Sequence, residues 1–338
     1  MDPQEIYSTL TEEMNTILIG NDDVIEGIAI ALFTRGHILL EGVPGVAKTT
    51  IANAFAHTTG FEFNRIQMTP DLLPADITGT HVYREGTGEF SLQRGPIFSN
   101  LLVADEINRA TPKTQSALLE GMQERTVTIE GDTLSLPSPF MVIATQNPIE
   151  MEGTYELPEA QRDRFQCKLT VDLPSDEDEI QLIDRFNETP NLNPTDLSQV
   201  VSADDILDAR ERVRTVHVAE SVKSYIQSLV SASRTHSDLA HGGSPRATLA
   251  LLHTAKARAA IHGRDYVIPD DVKALAVPVM RHRLVLSTEA ELSDRSPVDV
   301  VRDLLDSVAP PSSVTDDSSE NGDTIDTDVG TAKLSNID

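Results

Sequence analysis

Eight consecutive residues, Gly42-Val43-Pro44-Gly45-Val46-Ala47-Lys48-Thr49, have the composition of a loop that grips phosphate. A short apolar stretch, His37 to Glu41, runs into them, and a helical pattern from Lys48 to His57 follows. A loop between a strand and a helix is where backbone N–H groups and a helix N-terminus combine into an anion site. Lys48 would then reach the β- and γ-phosphates of ATP, and the Thr49 hydroxyl would ligate Mg²⁺. Thr50 counts with them among the nucleotide contacts. Ala47 stands where glycine usually precedes the lysine. Its methyl excludes backbone conformations open only to glycine, so the loop is expected to avoid a positive φ there.

Two further strand ends carry polar residues. Leu101-Leu102-Val103-Ala104-Asp105-Glu106 is an apolar run that finishes in two carboxylates. An acid at the C-terminal edge of a parallel strand lies in the crevice where ligands bind. Asp105 can hold the Mg²⁺ shell and Glu106 can polarise the attacking water as general base. A carboxyl pair at a strand end is usually only the start of a solvated loop, but after a phosphate loop it points to an active site. Met141-Val142-Ile143-Ala144-Thr145 ends at Gln146-Asn147-Pro148, where Asn147 could hydrogen-bond the γ-phosphate or orient water. Alone in a turn, that asparagine would mean nothing.

Strands alternating with helices must position these groups. Phe61 to Ile66, Asn100 to Ala104, Phe140 to Thr145 and Phe165 to Val171 read as further strands, with helical stretches such as Thr114 to Gln123 between them. The pattern predicts an α/β fold: a doubly wound αβα sandwich around a parallel sheet. Thr80 to Arg94 and Val127 to Leu136 alternate polar and apolar residues around glycines, which predicts two inserted hairpins. Before the sheet, residues 2–18 show a helical stripe of Ile6, Leu10, Met14 and Ile17, and Asn21 to Phe33 reads as a second helix. After Leu173-Pro174 the strand signal stops. Ser175 to Phe186, Ser202 to Val213, Ala219 to Ser233, Pro245 to Ile261 and Pro269 to His282 all look helical, with Ser175 and Ser202 as N-caps. The expected organisation is an N-terminal helix (1–18), an αβα core (19–173), an all-helical lid (174–308) and a disordered acidic tail (309–338). Core and lid are each expected to have a hydrophobic core of their own.

The chain has 338 residues, 39 % of them apolar and 4 % aromatic, with no tryptophan. No apolar run approaches the ~18 residues of a membrane span, and no signal peptide opens the sequence, so a soluble, cytoplasmic protein is expected. Cys167 is the only cysteine, which excludes a disulfide or cysteine zinc cluster within one chain. It alternates with apolar neighbours, as a core residue does. The nine histidines show no metal-binding spacing, and His236 and His241 read as solvated in a lid loop. Asp and Glu number 54 against 27 Lys and Arg, a net charge of −27, and only seven of the bases are lysines. Such charge destabilises by self-repulsion unless salt screens it, which suggests the salt-rich cytoplasm of a halophile. It also argues against a broad electrostatic grip on nucleic acid.

Phosphate loop, acidic strand end, polar strand end and helical lid together resemble AAA+ ATPases, and more narrowly the MoxR family. The matching stretches are Leu39-Leu40-Glu41-Gly42-Val43-Pro44-Gly45-Val46-Ala47-Lys48-Thr49, Gln67-Met68-Thr69-Pro70-Asp71-Leu72-Leu73-Pro74-Ala75-Asp76 and Asp105-Glu106-Ile107-Asn108-Arg109-Ala110. They continue with Ala144-Thr145-Gln146-Asn147-Pro148, Leu157-Pro158-Glu159-Ala160-Gln161 with Asp163-Arg164-Phe165, and Ser244-Pro245-Arg246-Ala247. Together they span roughly residues 5 to 285. The resemblance makes Ala47 normal and accounts for both hairpins as family insertions. It implies that Arg164 is an arginine finger inserted into a neighbouring subunit's ATP, with Arg162 as the alternative, and that Arg246 is a second sensor on the lid. A guanidinium suits both roles because it stays charged and bridges several phosphate oxygens. A finger in trans is typically worth ~10³–10⁵ in rate. Without the resemblance, Arg164 would read as a surface salt bridge to Asp163 or Glu159. Asn108 and Arg109 would help shape the subunit boundary.

The resemblance further implies a homo-oligomeric ring, a hexamer, acting as a chaperone-like remodeller of client complexes. Such proteins often work with a partner carrying a von Willebrand factor A domain and aid metal or cofactor insertion. Two rivals are a nucleic-acid motor, which would need a basic channel, and a scaffold that binds ATP without hydrolysing it. The scaffold would lack a water activator or finger, yet Glu106 and Arg164 are present. The charge argument itself is testable. The thermal midpoint should climb from dilute to molar KCl, and a midpoint that stays flat would remove the argument from self-repulsion.

Overall fold

The computed structural model describes residues 1–86, 88–148 and 153–311. The chain opens with α1 (Pro3–Met14) and α2 (Asp22–Phe33), followed by β1 (Ile38–Glu41), α3 (Lys48–Thr59), β2 (Phe63–Gln67) and the short α4 (Pro74–Thr78). The hairpin β3 (Gly79–Arg84) and β4 (Glu89–Arg94) leads to β5 (Leu101–Asp105) and α5 (Pro112–Glu124). A second hairpin, β6 (Thr126–Ile129) and β7 (Asp132–Ser135), precedes β8 (Met141–Gln146), α6 (Glu159–Arg162) and β9 (Cys167–Thr170). The rest comprises α7 (Asp176–Glu188), α8 (Ala203–Thr215), α9 (Glu220–Ser233), β10 (Leu239–His241), α10 (Pro245–Ile261), α11 (Pro269–Met280), β11 (Val285–Leu286), α12 (Thr288–Leu292) and α13 (Pro297–Ser307).

Five strands form one parallel sheet in the order β2-β5-β8-β1-β9. Its central strands are apolar up to their polar C-terminal ends because helices cover both faces, so period-two alternation has no solvent side to report. Register decides what meets at the C-terminal edge. Gln67 pairs with Asp105, Ala104 with Ala144, and Leu40 with Thr145. Thr145 is therefore next to Asp105 across the β5–β8 seam. Odd-numbered positions of β5 and β8 (Leu101, Val103, Met141, Ile143) join the hydrophobic cluster that includes α3, whereas Leu102, Ala104, Val142 and Ala144 join the cluster under α5. By the same alternation Asp105 and Thr145 project toward the start of α3.

The two hydrophobic clusters divide at the sheet, not at the expected boundary near Leu173. One cluster runs without a break from α1, α2, α3 and one sheet face into α8, α9, α10, α11 and α13. The expected separate core for the lid is therefore corrected. The N-terminal helix is the reason: Ile6, Leu10 and Met14 are buried, and α1 packs on α3, α8 and α10 at once. An apolar helix wedged between two units fuses their interiors. The lid is also not wholly helical, since β10 and β11 pair antiparallel and bring His241 into a strand. Pairs of two or three residues carry too little periodicity to be seen in sequence. The tail expected to be disordered lies, beyond residue 311, outside the described residues. Among the described residues no helix is long and apolar enough to cross a membrane.

Polar ties reinforce the joint between lid and sheet. Arg281, just after α11, donates to Thr170 Oγ1 at 2.5 Å and to Glu41 Oε2 at 3.1 Å. The buried Arg283 donates to Asp163 Oδ1 at 2.8 Å and to the carbonyls of Phe165 and Gln166. Within the lid itself, the fully buried Asp271 of α11 accepts from Arg258 at 2.9 Å and Arg264 at 2.6 Å.

His37, at the start of β1, is buried between two strong partners. Its Nδ1 accepts from the Val142 N–H at 2.9 Å, which makes Nε2 the donor to the Met122 carbonyl at 3.0 Å. The neutral ring is thus fully used. Burial, and then the nearby Arg125, push its pKa down to about 3. His282 is lowered well below the ordinary value by burial and by Arg283. The unfolded chain binds these protons at the ordinary histidine value of about 6.5, so stability is lost as pH falls below that value toward 3. Denaturant titrations should show the acid-side slope reduced by up to one proton in His37→Gln. An unchanged slope would mean His37 is not held neutral in the fold.

Candidate active site

The phosphate loop leaves β1 at Gly42. A Cβ there would lie 2.5 Å from the Val171 carbonyl oxygen, so only glycine allows the loop to start against the end of β9. At Gly45 the backbone takes φ +90°, and a side chain there would meet open space, so the turn itself calls for glycine. Ala47 corrects the sequence expectation. It adopts φ 59°, ψ 19°, the left-handed region, immediately before α3. That small region is open to L-residues at a cost of about 1–2 kcal/mol, so the methyl strains the turn without forbidding it. Lys48 folds back over the loop, its ammonium donating to the carbonyls of Gly42 and, at 3.1 Å, Val43.

Asp105, only 4 % exposed, is held from three directions. Thr145 Oγ1 donates to Oδ1 at 3.0 Å, while Arg65 Nε at 2.5 Å and Thr49 Oγ1 at 3.4 Å donate to Oδ2. Glu106 follows in left-handed backbone, φ 56°, ψ 54°, with its N–H on Thr145 Oγ1 at 2.9 Å. A non-glycine residue held this way marks stored strain of the kind found at reacting sites. Its Oε2 accepts from Gln67 Nε2 at 2.5 Å and Arg109 Nη1 at 3.0 Å. Asn147 is buried just past β8.

These groups open onto one cleft of about 420 Å³. Its walls are Pro44, Gly45, Val46, Ala47, Lys48, Thr49 and Thr50 of the loop, then Arg65, Gln67, Asp105, Glu106, Thr145 and Asn147. The volume lies within the range for small-molecule sites. Gly42 and Val43 stand behind the loop and contribute their carbonyls to Lys48. The oxygens of Thr49 and Asp105 also fit a magnesium ion. Neighbouring ligands of an octahedral shell with ~2.1 Å bonds are ~3.0 Å apart, and these two oxygens are 3.4 Å apart. Among the described residues no group of three or more His, Cys, Asp or Glu could hold a metal.

The arginines do not join this cleft within one chain. Arg246, in the first turn of α10, is half exposed and 3.9 Å from Asp163 Oδ2. Arg164 forms no ion pair with Asp163 or Glu159 among the described residues, because Asp163 is taken by Arg283, Arg246 and Ser244. The Nε atoms of Arg162 and Arg164 are both buried without a hydrogen-bond partner. Asn108 is buried, and Arg109 turns to Glu106. Cys167 is a buried core residue whose thiol burial pushes up to about 12.

The sequence assigns no site role to Arg65, Gln67 or Thr145, although Gln67 and Thr145 lie within the family-matching stretches. Arg65 and Gln67 lie two apart at the end of β2, and Thr145 matches Asp105 in strand parity. Those signals become informative only once β2, β5 and β8 are known to be neighbours in this register.

Residues 37–167 match the family described as ATPases associated with various cellular activities (AAA), and residues 231–304 match the AAA lid domain. Chaperone MoxR1 of Mycobacterium tuberculosis is 47 % identical over 308 residues, covering 88 % of this chain and 81 % of that protein. The uncharacterized protein YeaC of Bacillus subtilis is 42 % identical, covering 92 % of this chain and 96 % of its own. A solved structure from Cytophaga hutchinsonii superposes with a TM-score of 0.85 at 41 % identity, covering 92 % of this chain and 96 % of that one. With a phosphate loop at the edge of a parallel sheet, a helical lid and relatives this close along most of its length, the chain belongs to the MoxR family of AAA ATPases.

Proposed function

We propose that this chain binds ATP with Mg²⁺ in the cleft beside Lys48 and hydrolyses it. The observation that carries the reading is the meeting of loop, Thr49, Asp105, Glu106, Thr145 and Asn147 around one 420 Å³ space. Loop amides and Lys48 would bind the phosphates, with Lys48 exchanging its carbonyl partners for phosphate oxygens. Thr49 and Asp105 would hold Mg²⁺, which supplies charge neutralisation at the β- and γ-phosphates. Arg65 shares Oδ2 of Asp105 and would balance that carboxylate while no cation lies beside it. Glu106 would take a proton from the attacking water. Gln67 and Arg109 steady its Oε2, which leaves the base role to Oε1. Asn147 would contact the γ-phosphate.

In this reading the site is completed by a second copy of the chain. Arg164 is assigned as the finger in trans, with Arg162 as the alternative, supported by guanidinium groups that Asp163 does not neutralise. Arg246 is assigned as the lid sensor. Its half-exposed side chain would leave Asp163 for phosphate when the lid closes. Arg283 and His282 tie the end of α11 to the segment that carries Arg164. Lid movement in one subunit would therefore shift the finger presented to the next. The oligomer would be a hexameric ring using ATP to remodel client protein complexes; of this, the name of the M. tuberculosis relative supports a chaperone role. A partner with a von Willebrand factor A domain and a role in metal or cofactor insertion belong to the same proposal, as do a cytoplasmic location and a halophilic source.

Glu106→Gln should still bind ATP but turn it over at least about tenfold more slowly. Unchanged turnover would remove Glu106 from the base role. Turnover per protomer, followed across a wide protein concentration range with Mg²⁺ and molar KCl, should climb and then plateau. Activity that stays flat down to demonstrably monomeric chain would overturn the shared site and the finger.

A further inference from the structure

A second cavity, of about 470 Å³, lies between the end of α2, α8 and α10. Its walls bring together Arg35, Arg210, Arg214, His253 and Lys256, with Phe33, Thr34 and Val213 between them and no carboxylate among the lining residues. That composition is improbable in a chain whose acids outnumber its bases 54 to 27. Chance placement would put acids among these cations.

Arg210 at its floor is the most informative. It is 4 % exposed and forms no ion pair among the described residues. Its Nε donates to the Leu32 carbonyl at 2.9 Å, near the C-terminal end of α2. That accounts for one donor of the five a guanidinium carries. Burying a charge without a counter-ion is expensive, and proteins ordinarily pair it. Arg283, the other buried arginine among the described residues, has its carboxylate in Asp163. Here the neighbours are cations: Arg125 donates to the Phe140 and Arg35 carbonyls beside the cavity, and Lys256 Nζ donates to the Arg214 carbonyl at 2.7 Å. Burial, then Arg35 and Arg125, lower the Arg210 pKa to about 10, and burial followed by Arg214 and Lys223 lowers that of Lys256. Exposed Arg214 pairs with Glu211 at 2.8 Å.

We propose that this cavity is a binding site for a multiply charged phosphate, separate from the nucleotide cleft. Its concave shape and volume suit a small ligand, and two or more guanidinium forks with an ammonium match phosphate oxygens. Phosphate binding here would supply the missing counter-charge to Arg210 and link the end of α2 to α8 and α10. The ligand would therefore stabilise the packing of lid on core. A nucleic-acid strand suits the site less well, because beyond the cavity it would meet a surface of strongly negative net charge.

The test uses the full chain carrying Lys48→Ala, which disables the phosphate loop, with inorganic pyrophosphate as probe. Calorimetry should show one pyrophosphate bound per chain, weakened about tenfold or more by adding Arg214→Gln and Lys256→Gln. Hydrogen exchange on the Lys48→Ala chain should show pyrophosphate protecting residues 33–35 and 210–214. No binding, undiminished affinity in the triple variant, or protection confined to residues 42–49 would each overturn the site. Equal affinity for pyrophosphate and ADP would assign it to the phosphates alone, and tighter ADP binding to a nucleotide. A single-stranded oligonucleotide that protects the same residues more tightly than pyrophosphate would overturn the small-ligand assignment.

Discussion

A carboxylate buried at the end of a buried strand is the constraint on which the site depends. Asp105 cannot keep its charge in an apolar sheet unless donors reach it. The parallel register supplies them, with Thr145 from the adjacent strand, Arg65 from the strand on the other side and Thr49 from the first turn of α3. Those contacts pull the phosphate loop, β2 and β8 to one point. Thr145 has a second role, because its hydroxyl oxygen also accepts the N–H of Glu106 and so helps hold that residue in its strained backbone. One hydroxyl thereby ties the carboxylate of Asp105 to the backbone of Glu106.

The same economy of charge shapes the joint between lid and sheet. Arginines from the lid pair there with Glu26, Glu41 and Asp163, beside a single lysine, Lys168 on Glu41. The planar fork of arginine satisfies two acceptors at once, and it stays charged when desolvated, which lysine does not do as well. Lysine scarcity is thus compatible with a well-tied interior. The acidic excess is carried by the surface, where salt can screen it. The cavity around Arg210 departs from this pairing rule.

Strain and packing meet in the phosphate loop. Ala47 and Glu106 both sit at positive φ within the same cleft, and both are non-glycine. Each costs folding energy that the surrounding contacts must offset. In return the loop and the acidic strand end are held near a single shape before a ligand arrives. The shared hydrophobic cluster matters for the same reason: a lid fused to one face of the sheet through α1 cannot shift without disturbing the packing under the loop.

Local signals in the sequence were enough for the parallel α/β class, both hairpins, the N-caps at Ser175 and Ser202, and the placing of the loop, Asp105, Glu106 and Asn147 at strand ends. Each of these is written in contiguous residues, because strand-end chemistry and turn geometry are local. The amphipathic pattern of α7 was equally legible, but not that Ile180 and Ile183 would remain exposed, since burial depends on what packs against a helix. Arg65, Gln67 and Thr145, the pairing of Asp163 with Arg283 in place of Arg164, and the counter-ion-free Arg210 were not legible. Each depends on which strand or helix lies next to which, and at what register. The sequence alone determined which residues could do chemistry and on what kind of element each would sit. Only the tertiary structure decided which side chains meet, because side-chain contacts between distant segments are set by sheet order and helix packing, which no local periodicity encodes.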